Sequence, residues 1–374
     1  MSITVCKFGG SSVCDGDRFA QVRSILRADS DRKFIVLSAP GRRFPGDDKI
    51  TDLLYQAWDA ADDTAQFIFT RIYLRYASIR DQCAPDFDLE AEFSRIRRRF
   101  RTSRDYAASR GEYLCARLFA AYAGLPFVDA GELFHFDANG AIDPVATRRA
   151  LQERLLPLGR AVVPGFYGSL PDGGVNTFSR GGSDVSGALT AAALEADLYE
   201  NWTDVDGLFT ADPNIVPEAK RNRCVSLQQM ERLAWAGAQV LHPDALEPLK
   251  GTGIDTLLKN TYCPDAEGTR ISESCPAFVP CITGRRGLYI AANLNPSESC
   301  PLPQRAPFDG AMAVASVNAF GLTDAQIRRV EATIDFIHII HMQDHLQIII
   351  PEREYTATIR KIHRILLETD GDNL

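Results

Sequence analysis

A single lysine, Lys7, closes an apolar run near the start of the chain and is followed by Phe8, Gly9, Gly10, Ser11 and Ser12. Phe19, Val22, Ile25 and Leu26 come next at helical spacing, which puts the glycine pair in a strand-to-helix turn. Such a turn presents backbone N–H groups at a helix N-terminus, where an anion is stabilised. The pattern returns further on. Asn176-Thr177-Phe178-Ser179 leads into Arg180-Gly181-Gly182-Ser183-Asp184, followed by Val185, Leu189, Ala192 and Ala193. One such turn is equally a tight turn with a surface lysine. Two of them, each with one cation, would surround a polyphosphate with N–H donors and positive charge. Neither is a P-loop, because the Gly-x-x-x-x-Gly-Lys-Ser/Thr spacing is absent.

Asp184 falls in the first turn of the second helix. It could simply cap N–H groups, but beside phosphates it is suited to holding magnesium or orienting Lys7. Thr203, Asp204 and Asp206 follow a strand and read as a turn or as a nucleotide-facing loop. Ser109-Arg110-Gly111-Glu112 has capping-box spacing, with Ser109 as the cap of a helix beginning there. The Glu112 carboxylate is alternatively a partner for a substrate ammonium group.

The elements that position these residues alternate. Phe34 to Ser38 reads as a buried strand, closed by Ala39-Pro40-Gly41 and the polar run from Arg42 to Lys49, a loop expected to be mobile. Helical patterns cover 51–61, 64–79 and 90–123. Further strands are expected at 160–164, 198–202 and 257–261, the last ending near Lys259. Strands separated by helices imply a three-layer α/β architecture with a mostly parallel sheet, whose ligands collect at the carboxyl ends of the strands. The basic run from Arg95 to Arg104 reads as a solvated helix face, with a place beside a phosphate site as the other reading.

At 374 residues the chain has room for two domains. Its charged fraction of 24% is that of an ordinary globular protein. A formal charge of −8 argues against nucleic acid as a partner. No stretch approaches the roughly 20 apolar residues of a membrane span, and the first residues lack a basic region before their apolar run. Nine cysteines without zinc-type spacing favour a reducing, cytoplasmic setting.

Taken in order, VCKFGGSSV, SRGGSDVSG, NWTDVDGLFTADP, and AGAQVLHPDALEP followed by LLKNTYCPDAEGTRI resemble the motifs of bacterial aspartate kinases, in the amino acid kinase superfamily. The resemblance spans roughly residues 3–285. It implies transfer of the γ-phosphoryl group of ATP, with Mg2+, to the side-chain carboxylate of L-aspartate, the entry step toward lysine, threonine and methionine. It also implies a catalytic domain over 1–282 with a helical substrate-side region near 60–125, and ACT modules that sense end products and help form homodimers or larger homo-oligomers. By motif, Lys7 would contact the transferring phosphoryl group, with Gly9, Gly10 and Ser11 donating around it. Asp184 would organise the lysine and a magnesium ion carried with ATP rather than permanently ligated. Arg180 would grip the α-carboxylate of aspartate and Glu112 its amino group, with Thr51 and Ser183 in the same pocket. Gly181, Gly182, Thr203, Asp204 and Asp206 would face the nucleotide, and Lys259 its adenine side. A kinase of another small amino acid or carboxylate, or a regulatory nucleotide-binding pseudokinase, is the alternative.

Three positions depart from the family pattern. Gln239 stands where a lysine is usual, Asn214 where an arginine is usual, and Asn201 where an apolar residue is expected. The first two remove positive charge near the expected nucleotide site. The tail, 283–374, is too short for two ACT modules and reads as a single or incomplete one, with a helix over 324–330, strands near 334–340 and 346–350, and a helix over 355–367. Its expected work is association rather than feedback, through the alternating Ile337, Ile339, Leu346, Ile348 and Ile350. A proline-rich segment near 300–308 reads as an insertion or linker. His338, His341 and His345 lack the partners of a zinc set, and His242 reads as a structural hydrogen-bonding residue.

Overall fold

Lys7 lies in a strand whose five residues, Thr4–Phe8, are all buried, as a central parallel strand covered on both faces requires. The computed structural model describes residues 2–179, 181–238, 240–275, 279–290, 312–342 and 345–367. Arg180, Gln239, Gln343, Asp344 and the proline-rich segment therefore lie outside the described residues.

In chain order the elements are β1 (Thr4–Phe8), α1 (Gly16–Ala28), β2 (Arg32–Leu37), α2 (Ile50–Asp59), α3 (Asp62–Cys83), α4 (Leu89–Arg99) and α5 (Arg104–Ala123). Then come α6 (Pro144–Leu155), β3 (Ala161–Pro164), β4 (Tyr167–Ser169), β5 (Val175–Thr177), α7 (Gly182–Ala193), β6 (Leu198–Thr203), β7 (Cys224–Val225) and α8 (Leu227–Ala236). The chain continues with β8 (Asp255–Asn260), β9 (Thr269–Ile271), β10 (Cys281–Ile290), β11 (Met312–Phe320), α9 (Asp324–Thr333), β12 (His338–His341), β13 (His345–Pro351) and α10 (Tyr355–Leu367).

Two compact units result. The first joins 1–207 to 240–273, and the second joins 208–239 to 274–374. This partition differs from a single break after 282, because the segment carrying β7 and α8 groups with the tail.

In the first unit the strands run β3-β2-β1-β6-β8-β9, parallel as far as β8 and antiparallel at β9. The result is a three-layer α/β sandwich. Cys6, Phe8, Ile35, Leu37, Val162 and Trp202 pack with α1, α2, α3 and α5 in one cluster. Lys7, one residue out of phase, emerges on the opposite face against α7, where a Cβ on Gly187 would lie 3.0 Å from the Lys7 Cβ. The expected strand at Asn176 forms instead, as β5, an antiparallel ribbon with β4.

Two local expectations are corrected. The helix around Glu112 begins at Arg104 with Ser103 as its cap, accepting from the Tyr106 N–H at 3.0 Å, so Ser109 and Glu112 are interior residues of α5. Packing explains the choice: a Cβ on Gly111 would stand 2.8 Å from the Ala39 Cβ, and the Tyr76 hydroxyl donates to the Gly111 carbonyl at 2.6 Å. The polar loop after Ala39 is tied down by Arg75, 7% exposed. Its guanidinium donates to the Gly41 carbonyl at 2.8 Å, the Cys14 carbonyl at 3.3 Å and Asp47 at 2.9 Å.

The second unit holds an antiparallel sheet in the order β10-β11-β13-β12. Ala315, Val317 and Ala319 of β11 and Leu346, Ile348 and Ile350 of β13 pack against Val330 and Ile334 of the α9 region and Ile359, Ile362 and Ile365 of α10. This is one ACT-like α+β module. Leu346, Ile348 and Ile350 thus fill its core rather than leaving a surface for pairing; Ile337, beside the edge strand β12, is 39% exposed. Cys224 and Cys275 form a disulfide, which departs from the expectation of reduced thiols throughout. No described helix is long and apolar enough to cross a membrane.

Candidate active site

β1 ends at Phe8, and Gly9 turns the chain by donating its N–H to the Trp202 carbonyl at 2.9 Å. A 3-10 turn follows over Gly10–Val13. Its first internal bond is from Ser12 N–H to the Gly9 carbonyl, so the Gly10 and Ser11 N–H groups donate to nothing among the described residues. Gly10 is required by crowding, since a Cβ there would lie 2.9 Å from the Ala39 carbonyl oxygen. Gly9, expected as a donor to a ligand, is thus committed to the fold.

The second turn is built differently. Gly181 caps α7 at φ 76°, a conformation natural to glycine, and a Cβ there would overlap His242, 2.3 Å away. Asp184 N–H donates to the Gly181 carbonyl at 2.8 Å, which leaves the Gly182 and Ser183 N–H groups ahead of the first helical bond. Phe166, at φ 79°, supports this turn. Its N–H donates to Ser186 Oγ at 2.9 Å, and Ser186 Oγ donates to the Gly182 carbonyl at 2.8 Å.

Between the two turns, Lys7 Nζ pairs with Asp184 Oδ1. The same oxygen accepts from Asn201 Nδ2 at 3.0 Å. Asn201 is 1% exposed and also reaches the Tyr199 hydroxyl at 3.4 Å, whose proton goes to the Asp184 carbonyl at 3.3 Å. Burial pushes the Tyr199 phenol well above its ordinary pKa, with the Asp184 charge adding to it. Tyr199 therefore stays a neutral donor.

Glu112 approaches from α5. Its carboxyl is 5% exposed as a residue, and burial pushes its pKa up to about 8 despite hydrogen bonds from the Ala39 and Glu112 N–H groups. Its Oε2 has no hydrogen-bond partner. Ser38, just before Ala39, shares a hydrogen bond of 2.7 Å with Ser183. Glu112, Ser38, Ser183 and Asp184 are thus linked through the ends of β2 and α7. Thr51 sits in the first turn of α2, beside Ile50, which would lie 3.2 Å from a Cβ on Gly111.

The remaining residues divide. Thr203 Oγ1 donates to Asp204 at 3.2 Å, and Asn260 donates to Asp206 at 2.8 Å, so these carboxylates organise the mouth of β6 and β8. Lys259, 8% exposed, donates a hydrogen bond to the Ala266 carbonyl and lies 5.5 Å from the Trp202 ring centre, bracing the turn before β9. Asn214 closes a turn on Asp212, 2.9 Å from its N–H. Ser38, Tyr199 and Asn201 were missed as site residues. The only signal was Asn201 at a position where an apolar residue is expected, in a strand that also carries Glu200.

The amino acid kinase family model matches residues 2–260. The chain belongs to the amino acid kinase family. Among its relatives, Aspartokinase 3 of Bacillus subtilis is 35% identical over 290 residues, covering 71% of this chain and 63% of that protein. Aspartokinase 2 (chloroplastic) of Arabidopsis thaliana is 30% identical over 302 residues, covering 72% and 54%. The chain thus spans less than two thirds of the length of either relative. The crystal structure of Clostridium acetobutylicum aspartate kinase superposes with a TM-score of 0.80 at 29% identity, covering 98% of this chain and 100% of that one. E. coli aspartokinase III, in complex with aspartate and ADP, shares the fold at a TM-score of 0.80 and 22% identity.

Proposed function

We propose that this protein transfers the γ-phosphoryl group of ATP to the side-chain carboxylate of L-aspartate, forming 4-phospho-L-aspartate and ADP. The observation that carries the reading is the pair of a buried Lys7 with a partly buried Asp184, set between two helix N-termini with unused N–H groups. Kinship with aspartokinases of Bacillus subtilis and Clostridium acetobutylicum supports the acceptor.

Phosphoryl transfer needs in-line positioning and neutralisation of charge on the moving group, with little covalent work for the protein. A β-carboxylate oxygen attacks the γ-phosphorus, the bond to the β,γ-bridging oxygen breaks, and that oxygen leaves with ADP. Lys7 supplies a cation to the phosphoryl oxygens, and Asp184 and Asn201 hold that cation in place. Gly10, Ser11, Gly182 and Ser183 N–H groups receive phosphate oxygens. Glu112 Oε2 accepts from the substrate ammonium group, and Arg180 takes the α-carboxylate. Asp184 is a single carboxylate already holding two donors, a set that fits magnesium arriving on the nucleotide rather than a protein-only cage. When bound, the ion neutralises charge on the β- and γ-phosphates.

The same proposal assigns catalysis to the first unit, association into a homodimer to the ACT-like module, and a cytoplasmic setting. An acceptor panel tests it: ATP and Mg2+ with L-aspartate, L-glutamate and other small carboxylates, each product trapped as a hydroxamate. Aspartate alone giving efficient turnover is the expected result. Turnover on a different acceptor replaces the substrate, and nucleotide binding without turnover on any makes the protein a pseudokinase.

A further inference from the structure

Arg110 is 6% exposed, yet no carboxylate pairs with it among the described residues. Its Nε donates to the Tyr106 carbonyl at 3.2 Å and to Ser109 Oγ at 3.1 Å, and its Nη2 to Ser109 Oγ at 2.9 Å. Nη1 donates to nothing described. The guanidinium carbon lies 4.4, 4.7 and 4.9 Å from the ring centres of Tyr106, Tyr113 and Tyr167. The guanidinium charge acts on the Glu112 carboxyl without an ion pair between them, and a buried cation hydrogen-bonded only to neutral groups is unusual, because desolvation is ordinarily offset by a paired opposite charge.

Arg110 lines a cavity of about 260 Å³ between α4 and the first half of α5, together with Arg95, Arg98 and Arg99. The acids on its wall are already engaged. Glu92 accepts from Arg95 at 3.1 Å, from the Tyr113 hydroxyl at 3.2 Å and from Arg117. Asp129 accepts from the Tyr167 hydroxyl at 3.0 Å and the Gly131 N–H at 2.8 Å. The positive charge of the cavity therefore exceeds what its own acids neutralise. This is also where the basic run of the sequence ends up.

Residues 110 and 112 are about 200° apart around a helix, so the cavity opens on the face of α5 away from Glu112. We propose that it is a second binding site, distinct from the candidate active site, for a small multiply charged oxyanion, inorganic phosphate or a phosphate monoester. The Arg110 fork takes two oxygens, and Arg98 and Arg99 at the rim supply the further charge that favours a dianion over a monocarboxylate. The inference does not depend on which acceptor the kinase uses.

Calorimetric titration of the full chain with inorganic phosphate, in the presence of saturating ADP to occupy the nucleotide site, tests it. Saturable binding is expected, at least about tenfold weaker in Arg110→Met and weakened several-fold in the rim variant Arg98→Ser/Arg99→Ser, whose two side chains are exposed and of which Arg99 also gives up its stacking 5.0 Å from the Tyr106 ring centre. Lys7→Met should leave it unchanged. Absence of saturable binding overturns the proposal. So does binding that Lys7→Met removes while the rim variant keeps it, since that ion sits in the active site. Should Arg110→Met fail to fold, the rim variant and Lys7→Met decide the question alone. Comparison of phosphate with acetate and with glycerol 3-phosphate then separates free dianion, monocarboxylate and phosphate monoester as occupants.

Discussion

Asn201 Nδ2 lies 3.0 Å from Asp184 Oδ1, the same carboxylate oxygen that pairs with Lys7. A residue standing where an apolar one is expected thereby becomes the second donor to the group that holds the lysine. Replacing it with the apolar residue expected there, Asn201→Leu, removes a hydrogen bond to a charged group, worth roughly 1.5–3 kcal/mol. The expected outcome is a kcat lower by about tenfold or more with the aspartate KM within about twofold, measured by ADP release. A change in KM alone would place Asn201 in substrate binding instead.

Glu112 gives a pH prediction. Its pKa is raised from 4.5 to about 8 by burial, so the free protein carries it protonated at neutral pH. An arriving ammonium group favours the carboxylate, so aspartate binding between about pH 5 and 7.5 should release a proton. Calorimetry in buffers of different ionisation enthalpy reads that number directly, and Glu112→Gln should abolish it while weakening aspartate binding. The stability effect has the opposite direction to that of an ordinary ion pair. The protonated carboxyl contributes fully below about pH 4.5, and this contribution is lost as the pH rises to about 8. Urea denaturation across that range should show the decline, with a flatter profile in Glu112→Gln.

Arg75 holds the loop after β2 and so the Ser38–Gly41 wall of the site. Arg75→Met removes one of the two guanidinium partners of Asp47, which keeps Arg43 at 2.8 Å, and leaves the Gly41 and Cys14 carbonyls without the Arg75 donor. A loss of roughly 1–3 kcal/mol in urea denaturation is expected from the unsatisfied carbonyls, with new protease cleavage between residues 42 and 49. Unchanged stability would mean that other contacts hold the loop.

The strand-turn-helix units were legible because a buried parallel strand and a glycine turn each leave a local pattern. VCKFGGSSV predicts β1 and its turn, and the structure has both. What local pattern could not give was the competition between neighbours. Ser109 and Glu112 satisfy capping-box spacing, but Ser103 caps the helix and the packing of Gly111 on Ala39 keeps the chain helical through both. The polar composition of 42–49 suggested mobility, whereas the restraint comes from Arg75, some thirty residues away. Gly9 reads as a ligand donor until the Trp202 carbonyl, far along the chain, is found taking its N–H. Leu346, Ile348 and Ile350 alternate as an exposed face would, and only the positions of α9 and α10 show that the face is covered.

Association has a structural handle in the edge strand β12, whose outer N–H and C=O groups have no strand beside them in the described module. Sedimentation velocity of the intact protein at micromolar concentration should give a dimer. A monomer with full activity would remove the association role from the C-terminal module.

The central claim is that phosphoryl transfer to aspartate occurs at Lys7. The most direct measurement is hydroxamate formation from ATP, Mg2+ and L-aspartate by the wild-type protein and by Lys7→Met, with ADP affinity determined for both. The account predicts hydroxamate from the wild type and a loss of about a hundredfold or more in the variant, with ADP binding retained within about tenfold. No hydroxamate from the wild type at saturating substrates, or a variant as active as the wild type, would contradict it.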